Sequence, residues 1–200
     1  MIKAIIFDFG NVICKFDYGL FVSKISGHSP KPAEEIRDLI LRKSGLHRLY
    51  ETGMISSDEF FNRTVSLCGL NISKEDFIQA YVTIFSPVNS TIELIKILKK
   101  NYKIALLSNT NEWHFNYAIK PLEIFEQFDA VTLSHEVKTM KPDPGIYENC
   151  LMKLELQPHE CIYIDDIREN SDQATKMGMT GIQYQSNDEL LKSLYSHHIG

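Results

Sequence analysis

The spacing of apolar residues changes character along the chain. Residues 4–7 (Ala-Ile-Ile-Phe) form a short apolar run with no polar alternation. That pattern predicts a strand buried on both faces, as inside a parallel sheet. The run meets a carboxylate, Asp8, and then the turn residues Gly10-Asn11. From there to about Lys100 the spacing is helical. Residues 20–25 are rich in apolar side chains, and Ser29-Pro30-Lys31-Pro32 is a breaker with Pro32 at a favourable first helical position. Ile36, Leu39, Ile40 and Leu41 recur at helical spacing and stop near Ser44-Gly45. A short helix over residues 46–50 closes at Thr52-Gly53. Ser56 and Glu59 have capping-box spacing and open a helix bearing Phe60, Phe61, Val65 and Leu67. Ser73 opens another, with Ile78, Tyr81, Val82 and Phe85 on one side and Ser86-Pro87 as its stop. No convincing strand interrupts this series. Residues 16–87 are therefore expected to form a helical insert.

The second half alternates strand and helix. A helix capped by Asn89 or Ser90 leads to a buried strand over residues 104–107, ending in Ser108-Asn109-Thr110-Asn111. A helix to about Ile119 precedes a third strand, 130–133, and then a loop with Lys138, Lys141 and Pro142. Helix 144–154, strand 161–164, a helix to Met177, strand 180–183 and a last helix over 188–195 complete the chain. This alternation predicts an α/β fold: a Rossmann-like, doubly wound parallel sheet with right-handed crossovers. Residues 1–15 and 88–200 form that core, and residues 16–87 interrupt it.

Composition narrows the partners. An apolar share of 44% and a charged share of 24% are those of an ordinary globular protein. The formal net charge of -5 and the lack of a basic run argue against nucleic acid and anionic membrane surfaces. No apolar stretch is long enough to span a bilayer, and no signal-peptide pattern is seen at the start. Cys14, Cys68, Cys150 and Cys161 contain no C-x-x-C pair, which predicts reduced core thiols in a cytoplasmic protein.

Parallel strands present their carboxyl ends on one edge of the sheet, where such folds bind ligands. Asp8, Ser108 and Asp165-Asp166 are expected to gather there, with the Lys141 loop close by. Carboxylates from two strands suit a hard cation such as Mg²⁺. A hydroxyl and an ammonium beside it would cradle a phosphoryl group, which suits transfer to an Asp nucleophile and hydrolysis of the acyl phosphate. Four segments, Asp8-Phe9-Gly10-Asn11-Val12, Leu107-Ser108-Asn109, Met140-Lys141-Pro142-Asp143-Pro144 and Ile164-Asp165-Asp166, resemble in order the four motifs of the haloacid dehalogenase-like superfamily. The first motif, with Ser108-Asn109-Thr110-Asn111 and Asp165-Asp166-x-x-x-Asn170, resembles a branch holding α-D-glucose-1-phosphate phosphatase and the phosphatase domain of soluble epoxide hydrolase.

The resemblance implies a Mg²⁺-dependent phosphatase of a small phosphorylated metabolite, such as a sugar phosphate, with a helical cap over residues 16–87. It makes Asp8 the nucleophile and a Mg²⁺ ligand, and Asp166 a second ligand. Asp165 would support the metal's water shell, Ser108 and Asn109 would bind the phosphoryl oxygens, and Lys141 would neutralise them. One position departs from the pattern. The general acid of such phosphatases is an Asp two residues after the nucleophile, and here that residue is Gly10. Its carbonyl can still serve the metal, but the proton-transfer role has no evident owner; Asp17 is a candidate substitute or a plain helix cap. Two other readings remain open, a metal-free 2-haloacid dehalogenase and a phosphate-binding regulatory protein without turnover. His28 and His47 in the insert, and Trp113 and His114 after the second motif, either line the cleft or pack.

Overall fold

The computed structural model describes residues 1–199. Its strands are β1 (Ala4–Phe7), β2 (Cys14–Phe16), β3 (Phe85–Pro87), β4 (Lys103–Ser108), β5 (Ala130–Leu133), β6 (Cys161–Asp165) and β7 (Thr180–Gln183). Five of them form one sheet in the order β5-β4-β1-β6-β7, with every pairing parallel. β1 is the middle strand, which explains its unbroken apolar run: both faces are covered. Ile5 and Phe7 point to one side, where Leu94, Ile95, Leu190 and Leu194 of helices Asn89–Leu98 and Asn187–Ser196 meet them. Ala4 and Ile6 point to the other, against Ile146, Tyr147 and Leu151 of helix Pro144–Leu154 and Ala174 of helix Arg168–Lys176. Each fully buried Ile or Phe in these layers contributes roughly 1.5–3 kcal/mol.

The chain leaves this core after β2 and returns through β3, and the two pair antiparallel, Phe16 opposite Phe85. The sequence reading missed both strands. Each is only three residues long, too short to show a period, and Ser86-Pro87 reads as a helix stop. Pro87 is tolerated because a two-stranded ribbon has only edges. Helix Asn89–Leu98 also differs from expectation. Val88 stands at its cap with no side-chain bond, and the Val88 N–H donates to Ile13 O at 2.8 Å. The turn out of β3 fixes this helix start in place of an Asn or Ser side chain.

Between β2 and β3 lie helices Tyr18–Ser26, Ala33–Asp38, Leu46–Glu51, Ser57–Cys68 and Lys74–Val82, with a π-helical turn over Leu39–Lys43. Ser56 and Ser73 cap the last two helices, accepting from Glu59 N and Asp76 N. The insert has its own aromatic core. Tyr50 stacks on Phe60 at 4.4 Å, and Phe21 meets Tyr81 and Phe77 edge-on. Trp113, from the segment after β4, packs into that cluster, and its backbone N–H donates to Tyr50 Oη at 3.2 Å.

A second seam holds the insert to the loop after β5. Ser134 Oγ donates to Glu51 O at 2.6 Å, and Lys138 Nζ donates to Gly53 O at 2.7 Å. Gly53 sits in the left-handed region, φ +62°, and a Cβ there would lie 2.1 Å from His135 O. No side chain fits without parting the seam. Gly53→Ala should therefore cost at least about 2 kcal/mol, part from the left-handed backbone and part from the clash. Thermal melting should show a drop of about 4–8 °C; a midpoint within a degree of wild type would mean the seam is slack.

Candidate active site

β1 and β6 lie side by side and end at the same level, so their terminal acids meet. Asp8 follows β1, its N–H bonded to Ile164 O at 2.9 Å, and Asp165 is the last residue of β6. After Asp8 the chain folds back at once, with Ile13 N and Cys14 N both donating to Phe9 O. Asn11 takes a positive φ of 55° in this turn, a conformation Asn tolerates better than most residues. The turn aims Asn11 Nδ2 at Asp166 Oδ2, 2.9 Å away. One carboxylate oxygen each from Asp8, Asp165 and Asp166 lies within 4.8 Å of the others.

Lys141 enters this cluster from the loop after β5. Its side chain is 2% exposed, and Nζ lies 2.7 Å from both Asp8 Oδ1 and Asp165 Oδ2. Asn109 positions it. Lys141 N donates to Asn109 Oδ1 at 2.8 Å, and Asn109 Nδ2 donates to Lys141 O at 3.2 Å. Asn109 lines the cleft as expected, yet its side chain is spent on the lysine's backbone. Ser108, 2% exposed, lines the same cleft beside it.

The three acids are not equivalent. Asp165 is fully buried, and both its oxygens are occupied. Oδ1 accepts from Ile167 N at 2.8 Å and Asn170 Nδ2 at 3.0 Å; Oδ2 accepts from Lys141, Tyr163 Oη and Asn170. Burial works to raise its carboxyl, but Lys141 and these donors outweigh burial and hold it below the ordinary range. Asp8 goes the other way. Burial pushes it up to about 7, with Lys141 opposing and the Asp165 and Asp166 charges adding to the rise. Asp166 is also raised, first by its own burial. Burial alone would lower the Lys141 ammonium; Asp8 and Asp165 reverse that and raise it.

These groups form one end of a cavity of about 320 Å³. Its other wall comes from the insert and the β2–β3 ribbon: Phe16, Tyr18, His47, Glu51 and Phe85. Sequence reasoning offered only His47 among these for the cleft, and set Phe85 on the preceding helix, which ends at Val82. Tyr18 and Glu51 carry no motif, and Phe16 and Phe85 sit on the two unrecognised strands. A short-helix residue such as Glu51 gives no sequence signal that it faces inward.

Phe16 bears directly on Gly10. A Cβ at Gly10 would lie 2.8 Å from Phe16 Cε1, so an aromatic ring stands where a side chain at that position would begin. Asp17 does not replace it. Its carboxylate accepts from Gly19 N at 2.7 Å and caps helix Tyr18–Ser26, and it is not among the cavity-lining residues. His114 lines the cavity but is committed. Asn111 Nδ2 lies 3.1 Å from Nδ1, and Nε2 lies 3.2 Å from Tyr81 O. This pairing makes Nε2 the protonated nitrogen, and burial lowers the ring to about 3, so it stays neutral. Trp113 packs in the insert core, and His28 lies 3.2 Å from Asn71 O, away from the cavity.

The chain's likenesses agree with this geometry. It is 28% identical over 201 residues to a D-ribitol-5-phosphate phosphatase of Bacteroides thetaiotaomicron, covering 97% of both chains. It is 26% identical over 151 residues to mouse bifunctional epoxide hydrolase 2, a match covering 68% of this chain and 26% of that protein. Its fold superposes with a TM-score of 0.82 on a haloacid dehalogenase family enzyme of B. thetaiotaomicron solved with magnesium and inorganic phosphate. That match is 26% identical and covers 92% of this chain and 95% of the other. The sequence model of the haloacid dehalogenase-like hydrolases matches residues 2–172, and the chain belongs to that family.

Proposed function

We propose that the protein is a Mg²⁺-dependent phosphatase of a small phosphorylated polyol or sugar, working through an aspartyl phosphate on Asp8, with the helical insert as its cap. One observation carries the reading. Asp8 lies at the floor of the cavity with one oxygen on Lys141 at 2.7 Å, and its neighbour Asp166 opens onto the same space. The similarity to a ribitol-phosphate phosphatase supports the substrate class. No helix among the described residues is long and apolar enough to cross a membrane. The buried, free cysteines suit the reducing cytoplasm, where we place the enzyme.

The donor set fits Mg²⁺, which takes hard oxygen ligands. Asp8, Asp166 and the Gly10 carbonyl would hold it. Asp165, its oxygens already engaged, would steady the site from behind. When bound, the ion supplies positive charge beside the phosphoryl oxygens and favours the ionised form of Asp8. The protein's own groups do the rest. An Asp8 oxygen attacks phosphorus as the bond to the leaving oxygen breaks, giving the acyl phosphate and the leaving group as its alkoxide, which takes its proton from water. Water then adds at phosphorus, and the bond to Asp8 breaks to release inorganic phosphate and restore the carboxylate. Lys141, held by Asn109 and Asp165, offsets the negative charge on the transferring group. Ser108 offers a hydroxyl to the same oxygens.

The proton for the leaving oxygen has no donor at Gly10, where general acid catalysis would be worth about 10²–10⁴ in rate. The leaving group's own acidity should then control the first step. With Mg²⁺ present, single-turnover phosphorylation of Asp8 should fall steeply from aryl and acyl phosphates, through anomeric sugar phosphates, to primary alkyl phosphates. Turnover should vanish when a chelator removes Mg²⁺. Chelator-resistant hydrolysis would overturn the metal's part, and a flat series would mean that an acid exists after all.

A further inference from the structure

The cavity wall opposite Asp8 holds a carboxylate that the reaction does not use. Glu51 ends helix Leu46–Glu51, its side chain is only 14% exposed, and it faces the cavity. The His47 ring stands one turn earlier, with Nδ1 3.5 Å from Glu51 Oε2, longer than a good hydrogen bond. The other ring nitrogen, Nε2, lies 2.6 Å from Tyr18 Oη. Both nitrogens of His47 are thus turned to protein partners, while the Glu51 carboxylate keeps acceptor capacity toward the cavity. The Glu51 charge also raises the buried Tyr18 and Tyr81 phenols, after the larger effect of their burial.

The charges around the leaving group are one-sided. Asp8, Asp166 and Glu51 line the space with His47, whose Nε2 is engaged by Tyr18, and with Lys141, already paired with Asp8 and Asp165. No arginine is in the wall. A hydroxyl of the leaving group can donate to Glu51 and gains a charge-assisted bond. A carboxylate or second phosphate placed there meets a like charge, and Lys141 is already engaged by two acids, a repulsive element of the kind that builds specificity.

We infer that Glu51 is a specificity-determining residue that admits phosphate monoesters with neutral, polyhydroxylated leaving groups and rejects those whose leaving group carries a second acid. The inference rests on the phosphatase reading and deepens it. Tyr18 and His47, joined at 2.6 Å, form the wall beside Glu51.

A matched pair tests it. D-ribitol 5-phosphate and 5-phospho-D-ribonate share a five-carbon chain and differ at the far end, hydroxymethyl against carboxylate. Wild-type kcat/KM should favour the polyol ester by about tenfold or more, the scale of one like charge a few ångströms away in a partly wet site. Glu51→Gln should narrow that ratio by about tenfold, and Glu51→Lys should reverse it. A wild-type ratio near one, or a ratio unmoved in Glu51→Gln, would overturn the assignment. Should Glu51→Gln show no turnover, calorimetric affinities of that variant for the two compounds give the same ratio and decide the same question. Wild-type hydrolysis of acetyl phosphate with Mg²⁺ tests the phosphatase reading separately. If that fails, the wild-type affinity ratio still decides the role of Glu51.

Discussion

Asp8→Asn should lower turnover of every phosphate monoester by at least about 10⁴-fold, because an amide cannot form the acyl phosphate. The same change should not weaken the fold. Burial holds the Asp8 carboxyl near 7 against its ordinary 3.8, so the folded protein binds this proton more tightly than the unfolded chain does. Stability from this group is therefore full below about 4 and is lost as the pH climbs toward 7. Asn carries no such penalty. In chelator, the variant should melt at or above the wild-type temperature at pH 7 and lose that advantage at pH 4. Retained phosphatase activity would remove Asp8 from the chemistry, and a variant melting well below wild type at pH 7 would show that the carboxylate stabilises the fold.

Lys141→Met carries the other large effect. The lysine is the shared cation of two buried acids, and Met matches its length without its charge. Breaking a buried ion pair from one side costs about 3–5 kcal/mol. Asp8 can take up a proton and relieve part of that. Asp165 loses its strongest opposing charge, and the donors that remain, Asn170, Tyr163 and the Ile167 N–H, are placed for an ionised carboxylate. The net loss should be about 3 kcal/mol, a fall of about 6–12 °C in Tm for a chain of this size. Activity should drop by about 10²–10³, the scale of losing one preorganised charge at the transferring group. Scanning calorimetry in chelator and kinetics with Mg²⁺ read the two effects apart. A Tm within 2 °C of wild type would mean that the two acids do not depend on Lys141 in the folded protein.

The sheet was legible because its strands are buried on both faces. Unbroken apolar runs ending in acids or hydroxyls mark β1, β4 and β6 in the sequence and put Asp8, Ser108 and Asp165 on one edge. Lys141 was legible only through its motif. Nothing in a loop lysine's sequence position says that it will be buried between two carboxylates. The resemblance gave Asp165 and Asp166 different roles, but the physical cause of a difference between them was not legible. It depends on Asn170 and Tyr163, which approach Asp165 alone. The far wall was the least legible part. Phe16, Tyr18, Glu51 and Phe85 become neighbours through packing between the insert and the ribbon, and no short spacing encodes that.

The sheet's central strand is made before the other four strands of the sheet, and this sets the order of events during synthesis. β1 pairs with β4 and β6, so Ala4 waits for Lys103 and Cys161. At about 5–20 residues per second, β4 emerges roughly 5–20 s after β1. The insert, made in between, has its own aromatic core and can begin to condense while Ala-Ile-Ile-Phe is still unpaired. A naked apolar strand on a nascent chain is a substrate for hydrophobic capture, by a chaperone or by another unfinished chain. The shortness of β1 limits that exposure to four residues, and Lys3 and Asp8 flank it with charge. Asp8 thus acts as a gatekeeper before it has a site to serve.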